Sequence, residues 1–233
     1  MNSSKKSILN SNFTYLAAFV LPVIMMMALY YTRGIFPWGN ECYLRSDMYH
    51  QYAPFFSELW HKIRNGESLT YSWDIGMGTN FTSLFAYYLA SPSNWFVALF
   101  PQKYTIEIMN AFIILKIAGS SLSLTYYLTK HNNNKHVIAA IFGMFYGMSG
   151  FIAAYSWNIM WLDCVILIPL IMLGLERLVN ENRCIFYCIT LGLCIFTNYY
   201  IAIMVCLSVV IYYVVLMIAY NGIKSHMQYV KKF

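Results

Sequence analysis

The sequence predicts an all-α membrane protein: a polytopic bundle of about six transmembrane helices carrying a long extracytoplasmic first loop with interfacial helices. Three observations lead there. Hydrophobic residues make up 60% of the chain and charged residues 10%, with a mean hydropathy of +0.53, a balance that soluble domains do not reach. Six apolar runs, near 13–32, 106–129, 137–155, 159–176, 184–198 and 200–220, approach the roughly 20 residues needed to cross about 30 Å of hydrocarbon. Finally, basic residues fall in alternate connections.

The first run is too long for a secretory signal and lacks a small-residue cleavage site, so it reads as a retained anchor. Lys5 and Lys6 precede it, Lys130 and Lys135 separate the second and third runs, Arg177 and Arg183 follow the fourth, and Lys224, Lys231 and Lys232 follow the sixth. Alternation then puts the amino terminus in the cytoplasm and segment 34–105 outside. Arg33 at its edge and Arg45, Lys62, Arg64 and Lys103 within it do not oppose this, because loops beyond roughly 60 residues escape the charge rule. The net charge of +6 is thereby explained by topology, and nucleic acid is set aside as a partner.

Segment 34–105 is too apolar for a solvated linker and is expected to lie on the membrane surface. Met48, Tyr52, Phe55, Leu59 and Ile63 recur at three- and four-residue steps, with Gln51, Glu58, Lys62 and Arg64 at other positions, the pattern of a helix resting in the interface plane. Asn65-Gly66 ends it. Gly76-Met77-Gly78 adds a flexible break, Asn80 is placed to cap a short helix over 81–90, and Ser91-Pro92-Ser93-Asn94 opens a third piece ending at Pro101.

In the third run Gly143 and Gly147 form a GxxxG step that permits close helix packing. The fifth and sixth runs are interrupted only by Thr197-Asn198-Tyr199-Tyr200; as one helix they would extend roughly 55 Å, so a tight hairpin near the outer face is expected. Asn198 can satisfy backbone groups at that turn or face a ligand. The six cysteines show no disulfide pattern, and Cys184 and Cys188, one turn apart, read as small buried hydrophobes, not a metal pair.

Two charges sit inside apolar runs. Lys116 is near the middle of the second, where a basic residue costs about 2.5–3.5 kcal/mol on insertion scales, and Asp163 enters the fourth from the same side. Their depths differ by about 8 Å from helical rise, a gap a snorkelling lysine can span. Two roles are open here: a structural ion pair, or a lined cavity in which Lys116 receives a lipid phosphate.

The stretch Ser46-Asp47-Met48-Tyr49-His50-Gln51-Tyr52 marks where chemistry is expected, since it places an acid and a histidine in the outer loop. With Ala53-Pro54-Phe55-Phe56, Gly66-Glu67-Ser68-Leu69, Tyr71-Ser72-Trp73, Gly76-Met77-Gly78-Thr79-Asn80-Phe81 and Ala86-Tyr87-Tyr88-Leu89-Ala90-Ser91-Pro92-Ser93-Asn94, it resembles the YfhO family of bacterial membrane proteins. Trp161-Leu162-Asp163, Pro169-Leu170-Ile171, Leu173-Gly174 and Asn198-Tyr199-Tyr200 are similar to its continuation, and the likeness runs from about residue 14 to the last residue.

The resemblance implies a C-type glycosyltransferase that moves a sugar from a polyprenyl-phosphate carrier to a cell-envelope acceptor such as teichoic acid, outside the cytoplasm. It implies a catalytic acid in the first outer loop, here Asp47. It also implies that residues 1–233 are a single transmembrane domain forming the amino-terminal part of a longer protein, inactive alone. Within that frame Asp47 is the general base, His50, Tyr49 and Gln51 are substrate contacts, Arg45 or Lys116 meets the phosphate, and Asp163 and Asn198 line the same region. Asp47 with His50 is a weak divalent-cation signal, and no metal site is assigned. A transporter or flippase with Lys116 and Asp163 on its path is the alternative, and a non-catalytic assembly partner is a third reading.

Overall fold

The computed structural model describes residues 2–133 and 137–220, with side chains from 12 to 219. Nine α-helices occur among them: α1 (Asn2–Thr32), α2 (Ala53–Asn65), α3 (Phe81–Leu84), α4 (Thr105–His131), α5 (Val137–Gly147), α6 (Gly150–Tyr155), α7 (Leu162–Glu181), α8 (Ile185–Thr197) and α9 (Tyr199–Tyr220). A two-stranded antiparallel ribbon, β1 (Tyr71–Ser72) and β2 (Thr79–Asn80), pairs Tyr71 with Asn80 and Ser72 with Thr79.

Among the described residues four helical segments are long and apolar enough to cross a membrane: 12–32, 102–131, 137–155 and 199–219. Two of the six predicted runs differ. The fourth becomes α7, whose ends carry Asp163, Glu176, Arg177 and Glu181; the fifth becomes α8, which at 13 residues extends only about 20 Å. The expected hairpin is present. Asn198 is extended (φ −161°, ψ 104°) between α8 and α9, and α9 returns along α7.

Helix α4 is the centre of the bundle, packed by α1, α5 and α7. Ser121 Oγ donates to Ala18 O at 2.6 Å, fastening α1 to it. The glycine step works as predicted: a Cβ on Gly143 would strike Thr125 Oγ1 and Ser121 O, and one on Gly147 would lie 2.7 Å from Ile117 O. Gly143→Ala is therefore expected to cost about 1–3 kcal/mol through overpacking, read as a lower thermal midpoint in detergent. An unchanged midpoint would show that α5 can back away from α4. Pro169 inside α7 cannot donate to Val165 O, and Tyr146 Oη of α5 donates to that carbonyl at 2.8 Å.

The 34–105 segment departs from its expected resting place in the lipid interface. Met48, Tyr52, Phe55 and Leu59 are buried in one core with Tyr30, Ile113, Ile117 and Ile159, so the oily stripe faces the helix bundle and roofs it. Glu58 and Lys62, expected on a wet face, are also buried: Lys62 Nζ lies 3.4 Å from Glu58 Oε1 and donates to Tyr71 O at 2.9 Å, while Ser72 Oγ donates to Glu58 at 2.6 Å. Periodicity missed this because the ribbon that covers the pair is distant in sequence. Gly66 (φ +67°) terminates α2, and Asn80 Oδ1 accepts from Ser83 N at 3.3 Å to start α3, both as the residues suggested. Cys184 and Cys188 are exposed, not buried, because they lie at the start of α8 on its unpacked side.

Candidate functional site

Asp47 sits where the backbone is forced. Ser46 before it takes φ +49°, a left-handed conformation rare outside glycine and asparagine, and Met48–Tyr52 after it forms a π-helical turn. Such wide turns occur frequently at functional sites. Ser46 O accepts from both Tyr49 N (3.1 Å) and His50 N (3.2 Å), which fixes the turn without the Asp47 carboxylate; that side chain makes no capping bond and is exposed. Arg45, Tyr49 and His50 are exposed beside it, with the Tyr49 and His50 rings edge-on at 5.4 Å.

Around this turn the chain assembles an aromatic arc. Trp157 stacks on Tyr52 (6.3 Å, 11°), Tyr52 meets Tyr88 (5.4 Å), Tyr88 meets Tyr87 (4.6 Å), and Tyr87 meets Tyr199 (5.7 Å). Trp161 stacks on Tyr200 (6.0 Å, 27°). Burial, then the neighbouring Tyr88 and the negative charge of Asp47, raise the Tyr52 hydroxyl well above the usual tyrosine range; burial, then Tyr87 and Asp47, raise that of Tyr88, while the nearby Gln51 amide works in the opposite direction. Both phenols therefore stay neutral donors at physiological pH.

Beneath the arc, the turn at 156–161 ties loop to bundle. Tyr43 and Ser156 hydroxyls meet at 2.7 Å, Tyr52 Oη donates to Asn158 Oδ1 at 3.0 Å, and Lys116 Nζ donates to Ile159 O at 3.2 Å and to Asp163 Oδ2 at 2.6 Å. Lys116 is 5% exposed and Asp163 14%, so the pair is largely shut away from solvent. Asn198 is fully buried, its Nδ2 donating to Tyr87 O (3.1 Å) and its Oδ1 accepting from Ile201 N (2.9 Å); its amide serves the hairpin and the loop. Asn158 Nδ2 and Trp161 Nε1 are buried without a hydrogen-bond partner, two donors beside the arc. Such orphans are costly to leave unmade.

The structure thus brings Gln51 to Tyr88 and joins Lys116 to Asp163, with Asp47 near Tyr52 and Tyr88. Trp157 and Asn158 escaped the sequence reading, although Ser156-Trp157-Asn158 interrupting two apolar runs is a visible polar signal. For a divalent cation the donor set around Asp47 is thin: among the described residues no three His, Cys, Asp or Glu side chains converge. The residues present do not fit such an ion.

A roofed helix bundle with this loop invites comparison with known proteins, and the family model described as bacterial membrane protein YfhO matches residues 17–233. The chain belongs to the YfhO family. No curated protein and no solved structure matches it. As a YfhO protein with several long apolar helices, it resides in a bacterial membrane.

Proposed function

We propose that this YfhO chain forms the substrate end of a membrane glycosyltransferase that takes a sugar from a polyprenyl-phosphate carrier and transfers it to a cell-envelope acceptor, teichoic acid or a similar polymer, on the outer face. The single observation that carries the reading is the setting of Asp47: an exposed carboxylate, uncommitted to capping, at the edge of an aromatic arc. Sugar transfer to a hydroxyl needs a base at the acceptor, and Asp47 supplies it. The arc offers ring faces to a sugar, and the buried Asn158 Nδ2 and Trp161 Nε1 lie beneath it. Lys116, already committed to Asp163 and Ile159 O, acts by holding the 156–161 turn in place; Arg45 and His50 are the exposed cation and proton donor nearest Asp47 in sequence, available to the leaving phosphate. The test is transfer from a synthetic polyprenyl-phosphate sugar to envelope acceptor, in membranes carrying the full-length protein in its wild-type or its Asp47→Asn form. Equal rates would remove the reading.

The reading includes an orientation, with six membrane-embedded segments and a cytoplasmic amino terminus. Positive charge in alternate connections supports it. Cys42, half-buried in the loop, is expected to react with a membrane-impermeant maleimide in intact cells. Labelling only after the membrane is opened would reverse the topology.

A further inference from the structure

At the end of the bundle opposite Asp47 a cavity of about 240 Å³ opens between the carboxyl-terminal turns of α4 and α7, walled by Lys130, His131, Glu176, Arg177, Asn180 and Glu181. Its carboxylates are occupied. Glu176, only 8% exposed, accepts from Tyr127 Oη at 2.8 Å, from Tyr212 Oη, and from His131 Nδ1 at 2.9 and 3.0 Å, so its oxygens are turned toward α4 and α9. Glu181 is paired with Arg183 at 3.2 Å.

Its cations are not occupied. Among the described residues neither Lys130 nor Arg177 is within ion-pair distance of a carboxylate. Each is instead parked on a ring: Lys130 Nζ lies 5.6 Å from the Tyr126 centroid and the Arg177 guanidinium 5.2 Å from that of Phe186. A stacked guanidinium keeps its N–H groups in plane and free at the edge, the geometry that grips a tetrahedral anion with two parallel bonds. The cavity lies at the end of α4, a helix long enough to cross a bilayer, which is headgroup depth, and there phosphate is the abundant anion.

We propose that this cavity is a phosphate-binding site, with Arg177 and Lys130 as the anion contacts and the Glu176 cluster as the wall that fixes α4, α7 and α9 around it. The phosphate can belong to a lipid headgroup or be free in solution. It is independent of any chemistry at Asp47.

The test uses the purified 233-residue chain in mild detergent, with native mass spectrometry counting bound phosphatidylglycerol against a diacylglycerol of the same chains, which lacks phosphate. Wild type is expected to retain phosphatidylglycerol preferentially, and Arg177→Gln and Lys130→Gln each to weaken it about fivefold, from roughly 1 kcal/mol per basic residue near a headgroup, with Arg177→Lys losing less. Asp47→Asn is expected to bind as wild type. Displacement of the lipid by inorganic phosphate would identify the soluble source, and persistence of the lipid adduct the membrane source. Equal retention of diacylglycerol by the wild-type chain, or full phosphatidylglycerol binding by the Lys130→Gln/Arg177→Gln double variant, would overturn the proposal.

Discussion

Asp47→Asn is expected to lower sugar transfer by about 10²- to 10⁴-fold, the usual contribution of a general base, while protein level and membrane insertion stay normal. The two halves of that expectation have separate physical grounds. Asparagine keeps the size and branching of the side chain, and the turn that follows is held by Ser46 O, not by the carboxylate. An exposed substitution of this sort changes stability by within about 0.5 kcal/mol. The rate has no such insulation, because an amide cannot accept the acceptor hydroxyl's proton. His50→Gln in the same turn is expected to lose less, since it removes a polar contact and leaves the base. The measurement is single-turnover transfer from a polyprenyl-phosphate sugar, with quantified protein in both membranes. A loss in His50→Gln as large as that in Asp47→Asn would shift the role of base to the histidine or to the pair.

Which parts of this structure were legible in the sequence follows from how far apart the deciding residues lie. Gly66 and Asn80 act within three or four positions of themselves, and both do what their chemistry suggested. Gly143 and Gly147 needed a partner surface, but any helix serves a small-residue step, so the packing was legible even though Ser121 and Thr125 were not named. The Lys116–Asp163 pair was legible because a charge in an apolar run demands compensation and few candidates exist. The destination of the oily stripe was not. Periodicity says that Met48, Tyr52, Phe55 and Leu59 share a face; it cannot say whether that face meets lipid or Ile113 and Ile159. Nor can it foresee that Glu58 and Lys62 are sealed by Ser72 and Tyr71, ten or more residues on from one of them. At the site, Asp47 stood out as an acid in an apolar loop. The stacking of Trp157 on Tyr52 joins residues more than one hundred positions apart, and local sequence carries no trace of it.

Lys116→Met is expected to destabilise the bundle by about 3–5 kcal/mol, the cost of leaving one member of a buried pair without the other. Methionine fills much of the lysine's stem, so little of this is a cavity effect; the loss comes from Asp163, 14% exposed, and from Ile159 O, which gives up its lysine donor. Asp163→Leu should cost a similar amount by stranding the ammonium. Since the penalty in each case is an uncompensated charge, the two do not add. The Lys116→Met/Asp163→Leu double variant is expected to recover most of the stability, and a denaturation cycle in detergent would read the coupling directly. That same variant separates scaffold from chemistry. If the pair acts by anchoring the 156–161 turn, as its contact with Ile159 O indicates, the double variant loses the anchor and with it the placement of Asn158 and Trp161 under the arc, and sugar transfer falls although the fold is restored. Full transfer by a refolded double variant would show that the loop positions its acid without help from the charge pair. Two single variants of wild-type stability would instead mean that water reaches the pair and that its burial costs the membrane-embedded helices nothing.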